Sequence, residues 1–374
     1  MPAIRIPAFR RPSGASVPPA LPELVLALFC DNVQAMKFTA VPLNLALRHP
    51  FTIARSTQQC ARNVLVKLEY GSLAGWGEAA PNPWYGQTQQ SCLKALQAMG
   101  RLLARREPFD LEDILAELKR RFPTQPSAIA AVDVALHDLI GKRLGLPLWK
   151  YWGLNSTQTP QTSFTIGIDT LKKVAVKVEE ARAYPILKIK VGVEHDLEIM
   201  REVRRLAPKK RLRVDANCGW TARQTVAKAK VLEKLGVEFI EQPISPGRND
   251  ELRKIKRAIG LPLISDESSV VPEDVPALCG CVDGINIKLV KCGGLRAATK
   301  MLHTARACGL KVMLGCMIES SVLISAAAQL APLLDYADLD GNLLVSNDPF
   351  EGVKLSKDAR LLLPNRPGLG LRVR

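Results

Sequence analysis

The sequence predicts an α/β protein in which a modified parallel barrel follows a smaller α+β domain. Over most of the chain after residue 153, short apolar segments alternate with amphipathic helical segments, and there are eight such apolar segments. Eight strands with intervening helices favour a closed parallel barrel over a β-sandwich. A chain of 374 residues is long enough for one large barrel and one smaller domain.

The eight predicted barrel strands recur at the spacing of one strand plus one helix. They are residues 162–167, 186–191, 211–215, 237–241, 262–266, 284–288, 311–315 and, as the weakest, 336–340. Helical periodicity separates them, for example over residues 222–235. The tail after the last strand contains proline and glycine and has no helical period. We therefore expect a (β/α)7β barrel, a modified TIM barrel, whose C-terminal tail packs on the first domain and completes it.

The region before the barrel indicates an α+β domain. Residues 63–70 and 73–78 are typical of two strands joined by a Gly-Ser turn, in a sheet of two or three strands. Three helical patterns follow, which begin near residues 87, 110 and 127. The predicted domains are a capping domain at 36–153, a barrel domain at 154–343 and a C-terminal segment at 344–374.

The first 35 residues differ in composition from the rest of the chain. They are rich in proline and arginine and include an apolar run at 24–30. A secretory signal is disfavoured because Glu23 stands at the start of this run and no small-residue cleavage site follows. We expect a disordered extension or an over-called start, with the folded part beginning at Met36.

The formal net charge of +16 is consistent with a protein that binds nucleic acid, an acidic membrane surface or anionic substrates. The basic residues are scattered over predicted helix ends and loops, and aromatic residues make up only 5%. A solvated basic surface is the better interpretation, so we expect neither a nucleic acid nor a membrane partner.

The cysteines and histidines also constrain the class of protein. The nine cysteines include no Cys-x-x-Cys pair, which is typical of reduced thiols in a cytosol. The four histidines show no metal-ligand spacing, which disfavours zinc. We therefore expect a cytoplasmic protein without a zinc site.

Charged residues stand at or near the ends of five successive predicted strands. They are Lys190, Asp215, Glu241, Asp266 and Lys288, separated by 22 to 26 residues. This period is one βα unit, and the C-terminal ends of barrel strands converge on one mouth, where barrel active sites lie. The sequence therefore predicts that three carboxylates and two lysines meet there.

Three converging carboxylates would repel one another, and a hard divalent cation relieves this repulsion. Mg²⁺ takes a few carboxylates together with water or substrate oxygens. Each acidic residue alone is also consistent with a helix N-terminus, where acidic side chains are favoured. Three in succession, flanked by lysines, favour a site for one Mg²⁺ held by Asp215, Glu241 and Asp266.

The lysines suggest proton transfer. Lys188 and Lys190 share one face of a predicted strand, and both mutual repulsion and burial lower a lysine pKa. An exposed edge strand with two solvated lysines is the alternative for this segment by itself. With Lys288 on the other side, a carboxylate substrate on Mg²⁺ could lose its α-proton through an ene-diolate and regain it with inversion.

These residues, in this order, resemble the enolase superfamily. The resemblance covers Met36 to the C-terminus, and its motifs are Lys188-Ile189-Lys190, Asp215-Ala216-Asn217, Glu241-Gln242-Pro243, Ser265-Asp266-Glu267-Ser268 and Asn286-Ile287-Lys288. Together they are similar to the muconate-lactonizing subgroup. That subgroup contains cycloisomerases, o-succinylbenzoate synthases, N-acylamino acid racemases and dipeptide epimerases.

The last predicted strand resembles that of dipeptide epimerases. By this resemblance, Asp338 and Asp340 bind the free α-ammonium of the substrate, and two residues apart on a strand they face the same way. A polar turn at the strand end is the alternative. The resemblance also implies that Cys316, Met317 and Ile318 line the dipeptide pocket and that Thr165 contacts the substrate.

One capping-domain loop departs from the epimerase pattern. In epimerases with a preference for an acidic second residue, an arginine of this loop pairs with the substrate side chain. Here that position falls on Ser56 or Gln58, and Arg55 lies nearby but out of register. Arg55 and Ser56 are therefore candidate substrate-binding residues, and an acidic, an apolar or a broader substrate range stays open.

The prediction is a Mg²⁺-dependent epimerase of dipeptides, which inverts the α-carbon of the C-terminal residue and acts as a homo-oligomer. By resemblance, Lys190 and Lys288 are the acid/base pair, while Lys188 stays cationic and lowers the pKa of Lys190. The enzymatic alternatives are o-succinylbenzoate synthesis and N-acylamino acid racemisation. A non-catalytic basic binding protein is the alternative of another class.

Overall fold

The computed structural model describes residues 35–374. The predicted disordered or over-called segment, apart from its last residue, lies outside these residues, so that expectation stays a prediction. None of the described helices is both long and apolar enough to cross a membrane.

An antiparallel sheet of three strands opens the described chain and is followed by four helices. The strands are β1 (Lys37–Ile53), β2 (Ser56–Tyr70) and β3 (Leu73–Ala79), and the helices are α1 (Gln89–Leu103), α2 (Leu111–Arg121), α3 (Pro126–Arg143) and α4 (Leu148–Tyr151). Helix α3 lies directly on the sheet because Gly77 has no side chain there. A Cβ at Gly77 would lie 1.9 Å from the carbonyl oxygen of Ala131.

Eight parallel strands then form one sheet in chain order. They are β4 (Phe164–Ile166), β5 (Ile186–Lys190), β6 (Arg211–Asp215), β7 (Val237–Glu241), β8 (Leu263–Ser265), β9 (Gly284–Ile287), β10 (Lys311–Gly315) and β11 (Tyr336–Asp338). Three of the predicted ranges, those of β6, β7 and β10, agree to the residue. The other strands are one to three residues shorter than predicted.

Helices follow most of these strands. They are α5 (Leu171–Glu180), α6 (Asp196–Leu206), α7 (Ala222–Lys234), α8 (Asn249–Ala258), α9 (Leu289–Cys292), α10 (Leu295–Ala307) and α11 (Ser321–Ala328). Strand β8 is followed by two short 3-10 turns, Pro272–Asp274 and Pro276–Leu278, in place of an α-helix. Within the described chain, β11 is followed by a 3-10 turn and the tail, so the barrel ends on a strand, as the (β/α)7β prediction requires.

The first and last barrel strands meet at a seam. Thr162 forms a parallel bridge with Ala337, and the Ser163 hydroxyl donates to Asp338 Oδ1 at 2.6 Å. The backbone N–H of Thr165 donates to Asp340 Oδ2, also at 2.6 Å. Side-chain and backbone contacts therefore join the seam at the strand ends, and they hold both aspartates in place.

The C-terminal tail returns to the capping layer. Its short strands are β12 (Phe350–Glu351), β13 (Lys354–Leu355), β14 (Leu361–Leu362) and β15 (Arg372–Val373). The backbone N–H of Leu369 donates to Asp138 Oδ1 of α3 at 2.8 Å. A Cβ at Gly141, also on α3, would lie 2.7 Å from the Cα of Gly368. This packing confirms the predicted return of the tail onto the capping domain.

Candidate active site

The charged residues of the strand ends meet at one mouth of the barrel. Lys190, Asp215 and Glu241 are the last residues of β5, β6 and β7, and Asp266 and Lys288 directly follow β8 and β9. All five are at least 93% buried. Parallel strands place their carboxyl ends at the same edge, so the predicted convergence is found in the fold.

Three of these side chains form a carboxylate cluster. Asp215, Glu241 and Asp266 each offer one oxygen, and these oxygens all lie within 4.8 Å of one another. Burial alone would raise the pKa of Asp215 and Asp266, but neighbouring lysines outweigh it and hold both pKa values below the usual range. Burial and the charge of Asp215 raise the pKa of Glu241 to about 7. The cluster is thus crowded with negative charge.

The cluster fits a divalent cation. Oε2 of Glu241 accepts no hydrogen bond from the described residues, although the Lys188 ammonium lies 2.7 Å away without suitable hydrogen-bond geometry. An oriented, buried oxygen with no donor is available to a cation. Three hard carboxylate oxygens are also the donors that Mg²⁺ prefers.

Lys188 contacts two carboxylates of the cluster and also the carboxylate of Asp338 at the end of the last strand. Its Nζ lies 2.7 Å from Asp338 Oδ2, 2.7 Å from Glu241 Oε2 and 3.2 Å from Asp215 Oδ2. Burial would lower the pKa of Lys188, but these carboxylates outweigh burial and raise the pKa well above the usual value. The expectation that Lys188 stays cationic agrees with this direction.

The argument that repulsion and burial lower a lysine pKa is wrong for Lys188, because its carboxylate contacts outweigh both effects. Burial lowers the pKa of Lys288 too, and Asp266, whose Oδ2 lies 2.9 Å from Nζ, outweighs it and raises the pKa. The physical reason is that each ammonium faces a carboxylate at contact distance, which the strand pattern alone does not show.

Asp338, which ends the last strand, and Asp340, two residues further on, differ in their partners. Asp338 accepts from Lys188 and Ser163, and these contacts outweigh burial and lower its pKa. Asp340 forms no ion pair with any lysine or arginine in residues 35–374, and burial together with Asp338 raises its pKa to about 6. Its carboxylate is therefore a buried anion that lacks a cation from the described chain.

A cavity of about 290 Å³ lies over these groups and is lined on one side by residues of the capping domain. The predicted substrate-contacting residues all line it, namely Thr165, Lys188, Cys316, Met317, Ile318, Asp338, Asp340, Arg55 and Ser56. Phe51, Ile53 and Tyr85 of the capping domain also line it. The strand-end residues and the capping loop therefore face one common space.

Arg55 reaches this cavity but is already paired within the chain. Its guanidinium donates to the carbonyl oxygen of Asn217 and to Glu267 Oε1, both at 2.8 Å. It also lies 4.2 Å from the centre of the Trp84 ring. These contacts make Arg55 a link between the capping loop and the barrel mouth, whereas the sequence suggested a direct substrate contact.

Sequence reasoning assigned no role to three residues at this site. Arg62 of β2 lines the cavity, and its side chain forms no ion pair or hydrogen bond within residues 35–374. Asn286 donates from Nδ2 to Glu241 Oε1 at 2.7 Å, and Lys291 donates to Asp266 Oδ1 at 2.5 Å. The position of Asn286, two residues before Lys288 on one strand, could have indicated a shared face.

Two family descriptions match the chain. Residues 35–153 match the mandelate racemase/muconate lactonizing enzyme N-terminal domain. Residues 170–374, more than half of the chain, match the enolase C-terminal domain-like family. The chain belongs to the enolase superfamily. The resemblance noted from the strand-end motifs is thereby confirmed.

This superfamily member is similar to proteins named as dipeptide epimerases. It is 44% identical over 338 residues to the L-Ala-D/L-Glu epimerase of Bacteroides thetaiotaomicron, a match that covers 90% of this chain and 88% of that protein. It superposes with a TM-score of 0.86 and 31% identity on the Enterococcus faecalis V583 dipeptide epimerase complexed with Mg and L-Leu-L-Tyr, covering 90% and 99% of the two chains. It also superposes on the Methylococcus capsulatus dipeptide epimerase complexed with Mg and L-Arg-D-Lys, with a TM-score of 0.84 and 34% identity. This match covers 91% of this chain and 100% of that chain.

Proposed function

We propose that this protein is a Mg²⁺-dependent dipeptide epimerase, which inverts the α-carbon of the C-terminal residue by a 1,1-proton transfer. The observation that carries the proposal is the position of Asp340. This buried carboxylate, which has no cationic partner in the described chain, shares one cavity with Asp266 of the carboxylate cluster and with Lys190 and Lys288. The named relatives, which bind or act on dipeptides, support the same substrate class.

Asp215, Glu241 and Asp266 are the residues that would hold Mg²⁺. When bound, the cation would stabilise the negative charge that develops on the substrate carboxylate as the α-proton leaves. Lys188 keeps its positive charge beside the same cluster and adds to this stabilisation.

Lys190 and Lys288 are proposed as the acid/base pair. Lys190 ends the second barrel strand and Lys288 follows the sixth, so three strands lie between them and they stand half-way round the eight-stranded barrel from each other. Side chains half a barrel apart approach a substrate in the cavity from opposite faces. One lysine would take the α-proton from its face, and the other would supply a proton to the opposite face.

Asp340, with Asp338 beside it, would bind the α-ammonium of the N-terminal residue. An N-acylated amino acid or a succinylbenzoate has no ammonium and would leave Asp340 as a buried, unpaired carboxylate. Burial of a charge without a partner is costly. The aspartates therefore favour free dipeptides over the substrates of the two alternative reactions.

For the side chain of the C-terminal residue, the cavity favours an acidic group. The acidic residues that line the cavity are Asp266, Asp338 and Asp340. All three are already assigned, Asp266 to the metal site and the other two to the ammonium site. Arg62 supplies a positive charge, whereas Arg55 is neutralised by Glu267. An apolar side chain against Phe51 and Ile53 is the second candidate.

Several further expectations belong to this proposal. The division into a capping domain at 36–153, a barrel at 154–343 and a C-terminal segment at 344–374 is proposed as the functional organisation. A homo-oligomeric state, a cytoplasmic location and the lack of a nucleic acid partner stay predictions.

The test is α-proton exchange across a dipeptide library in D₂O, followed by mass spectrometry and chiral analysis. We expect Mg²⁺-dependent deuterium uptake at the C-terminal residue and inversion of its configuration, with acidic C-terminal residues the best substrates. Lack of exchange with every free dipeptide would contradict the proposal. Salt-sensitive DNA binding without any Mg²⁺-dependent exchange would favour the basic binding protein instead.

A further inference from the structure

Lys291 is a fully buried lysine that lies directly behind one carboxylate of the cluster. Its Nζ lies within hydrogen-bonding distance of Asp266 Oδ1 (2.5 Å), the carbonyl oxygen of Asp266 (2.6 Å) and the carbonyl oxygens of Ser269 and Asn286 (both 3.1 Å). The side chain is 1% exposed. Four acceptors around three N–H groups leave this ammonium no freedom to turn.

Lys291 is part of the short helix α9, and contacts with the capping domain fix the turn that follows this helix. Asp133 of capping helix α3 accepts a hydrogen bond from the backbone N–H of Leu295, just after α9. Gly294 has a positive φ of 114°, and a Cβ there would lie 2.2 Å from Asp133 Oδ2. A residue with a side chain would therefore displace this turn, so the capping helix and the glycine together determine where Lys291 lies.

The two oxygens of Asp266 face different surroundings. Oδ1 faces Lys291, whereas Oδ2 faces Lys288 at 2.9 Å. Lys288 and Asp266 line the cavity, but Lys291 is not among the described residues that line it. Lys291 thus contacts the side of Asp266 that points away from the cavity.

We propose that Lys291 is a positioning residue for the metal site, which holds Asp266 so that its second oxygen stays turned towards the cavity. The inference rests on the proposed metal role of Asp266. Hydrogen-bond partners behind metal ligands orient those ligands and change metal affinity. Because Lys291 uses Oδ1 and backbone carbonyls, its contacts do not compete for Oδ2.

Two effects of removing Lys291 oppose each other, so the direction of the change is informative. Loss of a positive charge would by itself strengthen cation binding. Loss of the hydrogen bonds would let Asp266 rotate and would leave it buried without its partner, which weakens binding. A positioning role predicts that the second effect dominates.

The experiment compares Lys291→Met and Lys291→Gln with wild type in the full-length protein. Mn²⁺ binding is measured by electron paramagnetic resonance of the free ion, and Mg²⁺ binding by displacement of Mn²⁺, both without substrate. We expect Lys291→Met to weaken binding of both ions by about 10- to 100-fold. Lys291→Gln, which keeps an N–H donor, should lose less.

Lys142→Met is the matched control. Lys142 also donates to a buried aspartate and to a backbone carbonyl, Asp138 and Ala74, both at 2.7 Å, but in the capping domain. We expect this variant to keep the wild-type metal affinity. Circular dichroism establishes that each variant is folded, and if Lys291→Met does not fold, Lys291→Gln decides by the same comparison.

Unchanged or stronger metal binding in the folded Lys291 variants would overturn the proposal. A second readout is kinetic, because kcat at saturating Mg²⁺ should fall far less than the affinity for Mg²⁺. The binding measurement uses no dipeptide, so it stands even if no dipeptide is a substrate. Conversely, active enzyme with normal metal affinity in the variants would refute only the role of Lys291.

Discussion

Substitution of Asp340 by asparagine tests the proposed ammonium site most directly. The side chain is 97% buried, and the backbone N–H of Thr165 donates to its Oδ2 at 2.6 Å. Asparagine has nearly the same size and keeps an oxygen that can accept this hydrogen bond. The substitution therefore removes one negative charge and leaves the seam between β4 and β11 in place.

The expected magnitude follows from the surroundings of the two aspartates. Lys188 already neutralises Asp338 at 2.7 Å, so Asp340 supplies most of the charge available to a substrate ammonium. A hydrogen bond to a charged group contributes about 1.5–3 kcal/mol, and loss of one partner of a buried ion pair costs about 3–5 kcal/mol. With Asp338 still present, we expect a loss of about 2–4 kcal/mol, or roughly 30- to 1000-fold in kcat/KM.

The assay measures kcat/KM for a free dipeptide and for its N-acetylated form. Wild type should strongly prefer the free dipeptide, and Asp340→Asn should lose this preference while Mn²⁺ binding stays unchanged. Asp358→Asn, the same chemical change at an exposed aspartate of the tail, is the control. If Asp340→Asn still discriminates against the N-acetylated form as wild type does, the ammonium is bound elsewhere and the assignment is refuted.

Three other predictions concern the same cavity. Lys288→Ala should abolish epimerisation but allow deuterium exchange without inversion at one enantiomer, since Lys190 remains; near-normal epimerisation, followed by chiral chromatography, would exclude the two-lysine mechanism. Arg62→Gln should lower kcat/KM for dipeptides with an acidic C-terminal residue more than for those with an apolar one, and equal losses would exclude Arg62 as the counter-charge. Because burial and Asp338 raise the pKa of Asp340 to about 6, kcat/KM for a free dipeptide should fall as the pH drops through this value. A neutral carboxyl no longer attracts the ammonium, so this acidic limb should be missing in Asp340→Asn.

Much of the barrel and the centre of the candidate site could be predicted from the sequence. The positions of Asp215 and Glu241 at strand ends follow from a repeat of one βα unit, which is a local and periodic property of the chain. Parallel strands of a barrel bring their carboxyl ends together whatever the loops do. The cluster of Asp215, Glu241 and Asp266 could therefore be predicted without information about long-range contacts.

The tertiary structure decided what each charged group contacts. Arg55 pairs with Glu267, which is 212 residues away in the chain. Among the described cations that line the cavity, this contact leaves Arg62 as the one without a partner in residues 35–374. The pKa values of Lys188 and Lys288 rise because carboxylates from other strands lie within 3 Å of each ammonium.

Lys291 gave no signal in the sequence, because its place behind Asp266 depends on a turn held by capping helix α3. The sequence by itself determined which residues stand at the barrel mouth, since strand periodicity is local. Only the fold determined which of them are paired, which are oriented from behind and which face the cavity, since those contacts join distant segments at distances of a few ångström.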